Sequence, residues 1–295
     1  MNRSLVWLLF IGAGCRTTGA GLDTAPLVVE EDEEDDDRFI DADMDGFSVE
    51  EDCDDGDATV FPNAEEICDG RDNDCDAEVD EAVHDGWLLM ATKNNGDIFE
   101  VDTSTAERTL FTTLDAELYA TSGAVEPNGS RVWMQSLDDE LVTVDICDGA
   151  VAAQGARSWS TGALDFGPGG TLYAINNPTS ELLAVDTDGT AETIGPLGLP
   201  LGSSGMAFDC TRQQLYAIDG EQDILFQIDV ETGAAIERIP LQPDFEFVGL
   251  AYDARIDAMW ASAKEELYRL DHLTGEVEYV GEIDDNDLML HPPCP

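Results

Sequence analysis

The run Leu215-Tyr-Ala-Ile218, followed after a short gap by Phe226-Gln-Ile-Asp229 and the turn Val230-Glu-Thr-Gly233, decides the fold. Apolar, aromatic and β-branched residues crowd both runs and Asp, Thr and Gly follow, which is the pattern of a short hairpin. The pair recurs four more times. Copies of the first run are Leu88-Leu-Met-Ala91, Val132-Trp-Met-Gln135, Leu172-Tyr-Ala-Ile175 and Met259-Trp-Ala-Ser262. Copies of the second are Phe99-Glu-Val-Asp102, Val142-Thr-Val-Asp145, Leu183-Ala-Val-Asp186 and Tyr268-Arg-Leu-Asp271. The closing aspartates lie 43, 41, 43 and 42 residues apart. A period of roughly 40 to 45 residues with several strands per unit is the signature of a β-propeller blade.

Four units are preceded by one more short strand: Gly123-Ala-Val125, Gly162-Ala-Leu-Asp-Phe166, Gly205-Met-Ala-Phe208 and Gly249-Leu-Ala-Tyr252. The first unit has none before it. Asp287-Leu-Met-Leu290 is free to supply it, closing the ring without an open edge. The expected fold is all-β, a five-bladed propeller over residues 83–295. The pattern resembles propeller repeats with a Leu-Tyr-Ala-Ile-Asp and Thr-Gly core, a resemblance that implies no activity. The repeated Asp invites a metal ring, but Asp before Thr-Gly is what a hairpin turn requires, since its carboxylate accepts main-chain N–H groups. Tyr173, Tyr216, Trp133 and Trp260 recur at one strand position, where packing between blades accounts for them.

Residues 39–82 follow other rules. Asp41-Ala-Asp43-Met-Asp45-Gly46-Phe47 places carboxylates at positions 1, 3 and 5 of a loop, Gly at 6 and a main-chain carbonyl at 7, as in the first half of an EF-hand loop. Alternate side chains of a curled loop converge on one point, and Gly46 permits the sharp turn. Asp52 stands at position 12, with Glu50 and Glu51 as neighbouring substitutes. Asp52-Cys-Asp-Asp55 continues the acidic series, and Asp72-Asn-Asp74-Cys-Asp76-Ala77 repeats the alternation. The candidate ligands are Asp41, Asp43, Asp45, the carbonyl of Phe47, Asp52, Asp54, Asp72, Asp74, Asp76, Asp80 and Glu81. So many like charges, phased among cysteines and glycines, require cations. Carboxylate oxygens without His select Ca²⁺, whereas copper or zinc would need His or thiolate.

Residues 41–81 also resemble the MopE-type metal-binding motif. They match at Asp52-Cys-Asp-Asp55, Pro62-Asn-Ala-Glu-Glu-Ile-Cys-Asp-Gly70, Asp72-Asn-Asp-Cys-Asp76 and Asp80-Glu81. Asn63 and Ala77 stand where the pattern has Gly. The resemblance implies a secreted, surface-exposed protein, and the family name implies copper.

Arg3, the apolar run Leu5–Ile11 and Gly12-Ala-Gly14 before Cys15 read as an export signal over residues 1–15. It resembles a bacterial lipoprotein signal, with Cys15 as the acylated residue and Gly12 where Leu is usual. Residues 16–38, with the acidic run 30–37, read as a solvated tether. The location implied is the bacterial cell envelope, outer-membrane-anchored or secreted, with the membrane touched only through the lipid. A formal charge of −52, from 65 Asp and Glu against 13 Lys and Arg, argues against nucleic acid and anionic membrane surfaces as partners. Hydrophobic content of 43% is that of a chain able to build a core.

Six cysteines remain after Cys15: 53, 68, 75, 147, 210 and 294. Three lie in the acidic module, so one lacks an internal partner, and the expected clamp joins Cys75 or Cys53 to Cys294 at the closing strand. The histidines, His84, His272 and His291, hold unrelated repeat positions, and no G-x-S-x-G or HExxH pattern occurs. The expected protein is therefore not an enzyme. It binds calcium through the module and a protein or carbohydrate partner through the propeller; the alternatives are a copper-binding surface protein and a propeller hydrolase or lactonase.

Overall fold

Five four-stranded antiparallel sheets form the blades of the propeller. The computed structural model describes residues 40–67, 71–77, 79, 88–92, 96–114, 120–136, 139–147, 149–242, 244–246, 248–283 and 287–291. The expected signal, Cys15, the tether, Cys68, Asp80, Glu81, His84 and Cys294 lie outside them.

From the axis outward, the first blade is β20 (Asp287–His291), β1 (Leu88–Thr92), β2 (Asp97–Val101) and β3 (Arg108–Thr113). The second is β4 (Ala120–Val125), β5 (Arg131–Ser136), β6 (Glu140–Asp145) and β7 (Val151–Ala156). The third is β8 (Leu164–Phe166), β9 (Leu172–Asn176), β10 (Glu181–Val185) and β11 (Ala191–Pro196). The fourth runs through β12 (Ser204–Asp209), β13 (Gln214–Asp219), β14 (Ile224–Ile228) and β15 (Ala235–Pro240). The fifth runs through β16 (Gly249–Asp253), β17 (Ala258–Ala263), β18 (Glu266–Leu270) and β19 (Val277–Glu282). The innermost strands adjoin in sequence, β4 to β8 to β12 to β16 to β20 and back to β4. The C-terminal strand β20 pairs with β1, Leu88 opposite His291 through Thr92 opposite Asp287, so the first blade is built from both ends of the domain.

The core lies between blades. Successive residues of a strand point to opposite faces, and each face of a blade is covered by the next blade. Leu215 and Ala217 pack toward the third blade, whereas Tyr216 and Ile218 pack toward the fifth. This explains why second strands such as β17 are buried at every position while outermost strands such as β7 and β19 are largely uncovered. Outer strands meet the neighbouring blade through glycine. A Cβ on Gly155 would stand 1.7 Å from the Asp188 carbonyl oxygen, and one on Gly195 2.2 Å from that of Thr232. In both blades the β-bulge lies at this point of the outer pairing.

Asp102, Asp229 and Asp271, at the ends of the third strands of their blades, close their own turns: Asp102 accepts Ser104 N–H at 2.7 Å, Asp229 accepts Glu231 N–H at 3.0 Å and Asp271 accepts Leu273 N–H at 2.9 Å.

The module's covalent bond corrects one expectation. Cys53 is joined to Cys75, with Cα atoms 5.8 Å apart, so neither is available to Cys294. The reason is local folding: Phe61 N–H donates to the Asn73 carbonyl at 2.8 Å and Asn63 N–H to that of Asp74 at 3.1 Å, which brings the two acidic loops together. Cys147 and Cys210 are each in a disulfide as well.

Candidate metal centre

The first loop curls as its spacing requires. Residues 41, 43, 45 and 47 are half-buried while 42, 44 and 46 are exposed, so alternate side chains turn inward. Asp41 holds the loop by accepting Met44 N–H at 2.6 Å and Gly46 N–H at 3.1 Å. Met44 and Gly46 take φ of +73° and +108°, and Val49 N–H reaches back to the Ile40 carbonyl at 3.0 Å.

Three carboxylates divide their oxygens in the same way. Oδ1 of Asp43, Asp45 and Asp52 accepts the N–H two residues on, at 3.2, 2.8 and 2.8 Å. Oδ2 of each is sealed from solvent and has no donor. One oxygen from each carboxylate lies within 4.8 Å of the others. Burial, and then the charges of Asp45, Asp52 and Asp41, raise the pKa of Asp43 above the ordinary carboxylate value. Anionic oxygens facing one another without a proton donor call for a cation, and the residues present fit one. Of the acidic residues available to close this loop, Asp52 is turned inward while Glu50 and Glu51 are exposed.

Asp41 and Asp43 also approach Asp55, whose Oδ1 accepts Ala42 N–H at 3.0 Å. The expected ligand is its neighbour Asp54. Asp54 is exposed and gives the centre only its N–H, and the one-residue shift follows from how the chain leaves Asp52.

The second loop repeats the first. Asp72 accepts Asp76 N–H at 3.1 Å and Ala77 N–H at 2.8 Å. Cys75 and Ala77 take φ of +64° and +79°, matching Met44 and Gly46 position for position. Asn63, the other departure from the motif, takes φ of +66°. Asp72 and Asp74 gather with Glu66, while Asp76 stays exposed. Burial, then Asp76 and Asp72, raise the pKa of Asp74. Glu66 was absent from the ligand set read from the sequence, although the motif's acidic residue after Pro62-Asn-Ala64 was the available signal. Its Oε1 accepts Asn73 and Asp74 N–H at 2.6 and 2.9 Å. Asn73 is fully buried and its side-chain oxygen accepts Ile67 N–H at 3.2 Å, making it the hub between the loops. Phe47 stacks on Phe61 with centroids 5.4 Å apart. Cys53 and Cys75 stand near Asp52, but their sulfurs are spent in the disulfide and offer no thiolate.

In the propeller, His272 joins a polar knot that sequence spacing did not reveal. Its Nε2 lies 3.0 Å from buried Asp209, and Arg212 bridges Asp209 at 2.8 Å and Asp257 at 2.5 and 2.7 Å. The guanidinium occupies the middle of this group, so the knot ties the fourth blade to the fifth and is not a cation site. The central channel is lined by residues of the innermost strands, including Met206, Leu250 and Met289, with Asp165 among them. Burial pushes Asp165 up to about 7, against the opposing effect of the Phe208 and Phe166 N–H groups it accepts.

Residues 52–81 match the Cu-binding MopE family, described as a "Putative metal-binding motif". Residues 163–288 match a repeat family of unknown function. No curated protein matches the chain. Among solved structures, one from a nidogen/laminin complex is 12% identical with a TM-score of 0.51, covering 69% of this chain and 82% of that one. A virginiamycin B lyase from Staphylococcus aureus is 13% identical with a TM-score of 0.44, covering 66% of each chain. A protein from Bacteroides caccae is 13% identical with a TM-score of 0.45, covering 70% of this chain and 88% of the other. At these identities the likeness is one of fold alone. The chain carries a MopE-type metal-binding motif ahead of a five-bladed β-propeller.

Proposed function

We propose that this is an exported, lipid-anchored surface protein whose acidic module binds Ca²⁺ and whose propeller binds a partner without catalysing a reaction. One observation carries the calcium reading: the sealed, donorless Oδ2 atoms of Asp43, Asp45 and Asp52. A donor set of carboxylate oxygens, without His and with Cys53 and Cys75 oxidised, suits a hard cation. The bound ion would supply charge neutralisation and fold the module, whose apolar side chains are few; Val60 is buried, while Ile40, Val49 and Ile67 are about half exposed. The reading as a binding protein is supported by His272, which is engaged in an inter-blade ion knot instead of facing an open site. Cys15 would carry the lipid, placing the protein at the bacterial cell envelope.

Calorimetric titration of the full chain with Ca²⁺ tests the proposal. Asp43→Asn and Asp45→Asn should each weaken binding about tenfold or more, since each removes an anionic ligand. Removing calcium with a chelator should collapse the amide dispersion of residues 40–77 and leave that of the propeller. Unchanged affinity in both variants would remove these residues from the site, and retention of copper against excess calcium would favour the copper reading that the family name carries.

A further inference from the structure

In the second blade Trp133 is 4% exposed, and its indole N–H has no acceptor. At the same register position of the fifth blade, Trp260 donates its indole N–H to Asp253 Oδ2 at 3.1 Å. Glu126 precedes Trp133 by seven residues, as Asp253 precedes Trp260, but its carboxylate is turned to Arg131 Nε at 2.9 Å and to the Ser130 hydroxyl at 3.4 Å. The internal acceptor is diverted, and the buried donor keeps its desolvation penalty.

Trp133 is part of the wall of a groove between the second and third blades, with Phe166, Leu172, Val185, Asp186 and Thr187. Asp186 differs from its counterparts in other blades, which close their own turns. In the third blade Asp188 closes the turn, accepting Thr190 N–H at 3.0 Å. No described residue donates to the exposed carboxylate of Asp186. The groove therefore combines an unpaired anionic acceptor with apolar surface, and the sealed, unpaired indole N–H belongs to its Trp133 wall.

These features select a ligand class. An anion is repelled by Asp186 and by the net charge of −52. An organic ammonium ion satisfies Asp186 but has no lone pair for the indole N–H, and a hydrocarbon satisfies neither. A neutral polyol ring has hydroxyls that donate and accept and a C–H face for the apolar wall. We propose that this groove binds a neutral sugar residue, with one hydroxyl oxygen accepting from Trp133 Nε1 and another hydroxyl donating to Asp186. Phe166, half-buried and edge-on to the indole at 6.3 Å between centroids, turns aside to admit the first hydroxyl. The inference rests on the reading of the propeller as a binding domain and names its ligand class.

Titration of the ¹⁵N-labelled full chain with maltotriose, cellotriose, mannotriose and chitotriose tests it. The Trp133 indole cross-peak, assigned by its loss in Trp133→Phe, should shift with at least one of them. Asp186→Asn, at an exposed position, should weaken that affinity about tenfold through loss of a hydrogen bond to a charged group. A sugar that binds without moving the Trp133 cross-peak, or binds Asp186→Asn equally well, overturns the groove while the propeller remains a binding domain. Binding of none of the four overturns the proposal, and the calcium titration judges the module separately.

Discussion

Replacing both cysteines of the Cys53–Cys75 bond by alanine should weaken calcium binding far beyond what any lost ligand explains, because neither sulfur is available as a ligand. The bond spans 22 residues of separation. In the chain-entropy relation a loop of this size restricts the unfolded chain by about 11 cal/mol/K, or about 3 kcal/mol at 25 °C. The module has little to set against that loss. Val60 is buried, the Phe47–Phe61 stack is half-buried, and Ile40, Val49 and Ile67 are about half exposed. A region of about 40 residues with so small a core depends on cross-links and ions. Folding and binding are then linked, and about 3 kcal/mol lost from folding appears as an apparent affinity lower by about a hundredfold. Calorimetry on the wild type and on C53A/C75A reads this directly. The variant in chelator should also show collapsed amides over residues 40–77 beside an intact propeller. An affinity within about threefold of wild type would refute the reasoning, since the loops would then be held by side-chain contacts alone.

Ala77→Gly should stabilise the module by about 1 kcal/mol, because Ala77 sits at φ +79° in the place that Gly46 fills in the first loop. A denaturant midpoint that falls in the variant would mean that the unfolded-chain entropy of glycine outweighs the relieved strain. Asp165 gives a pH dependence. Its pKa is raised from 3.8 to about 7 by burial, so the folded state binds the extra proton and stability contributed by this group falls as pH rises from about 4 to 7. Asp165→Asn should flatten that fall, by an amount on the order of a few kcal/mol at pH 8. Denaturant midpoints across this range decide it: an identical slope in the variant would assign the effect elsewhere.

The alternation within Leu215–Ile218 and its four copies, and the repeat of 41 to 43 residues, are local and periodic properties, so the strands and the five blades were legible in the chain. Turn chemistry was legible for the same reason, since Asp229 and Asp271 bond N–H groups two residues away. The first acidic loop curls on its own carboxylates, and its inward residues 41, 43 and 45 follow from spacing. What the tertiary structure decided depends on contacts between distant segments. The approach of Asp55 to Asp41 and Asp43, the gathering of Glu66 with Asp72 and Asp74 and the pairing of Cys53 with Cys75 are set by how one acidic loop lies on the other around Asn73. Similarly, Trp133 and Trp260 are equivalent in the repeat, yet Asp253 holds Arg255 and the Trp260 indole together, whereas Glu126 holds Arg131 and Ser130 and leaves the Trp133 indole without an acceptor. Periodicity determines what each residue is next to along its strand, whereas the partners of a buried polar atom are determined by what the neighbouring loop brings within about 3 Å.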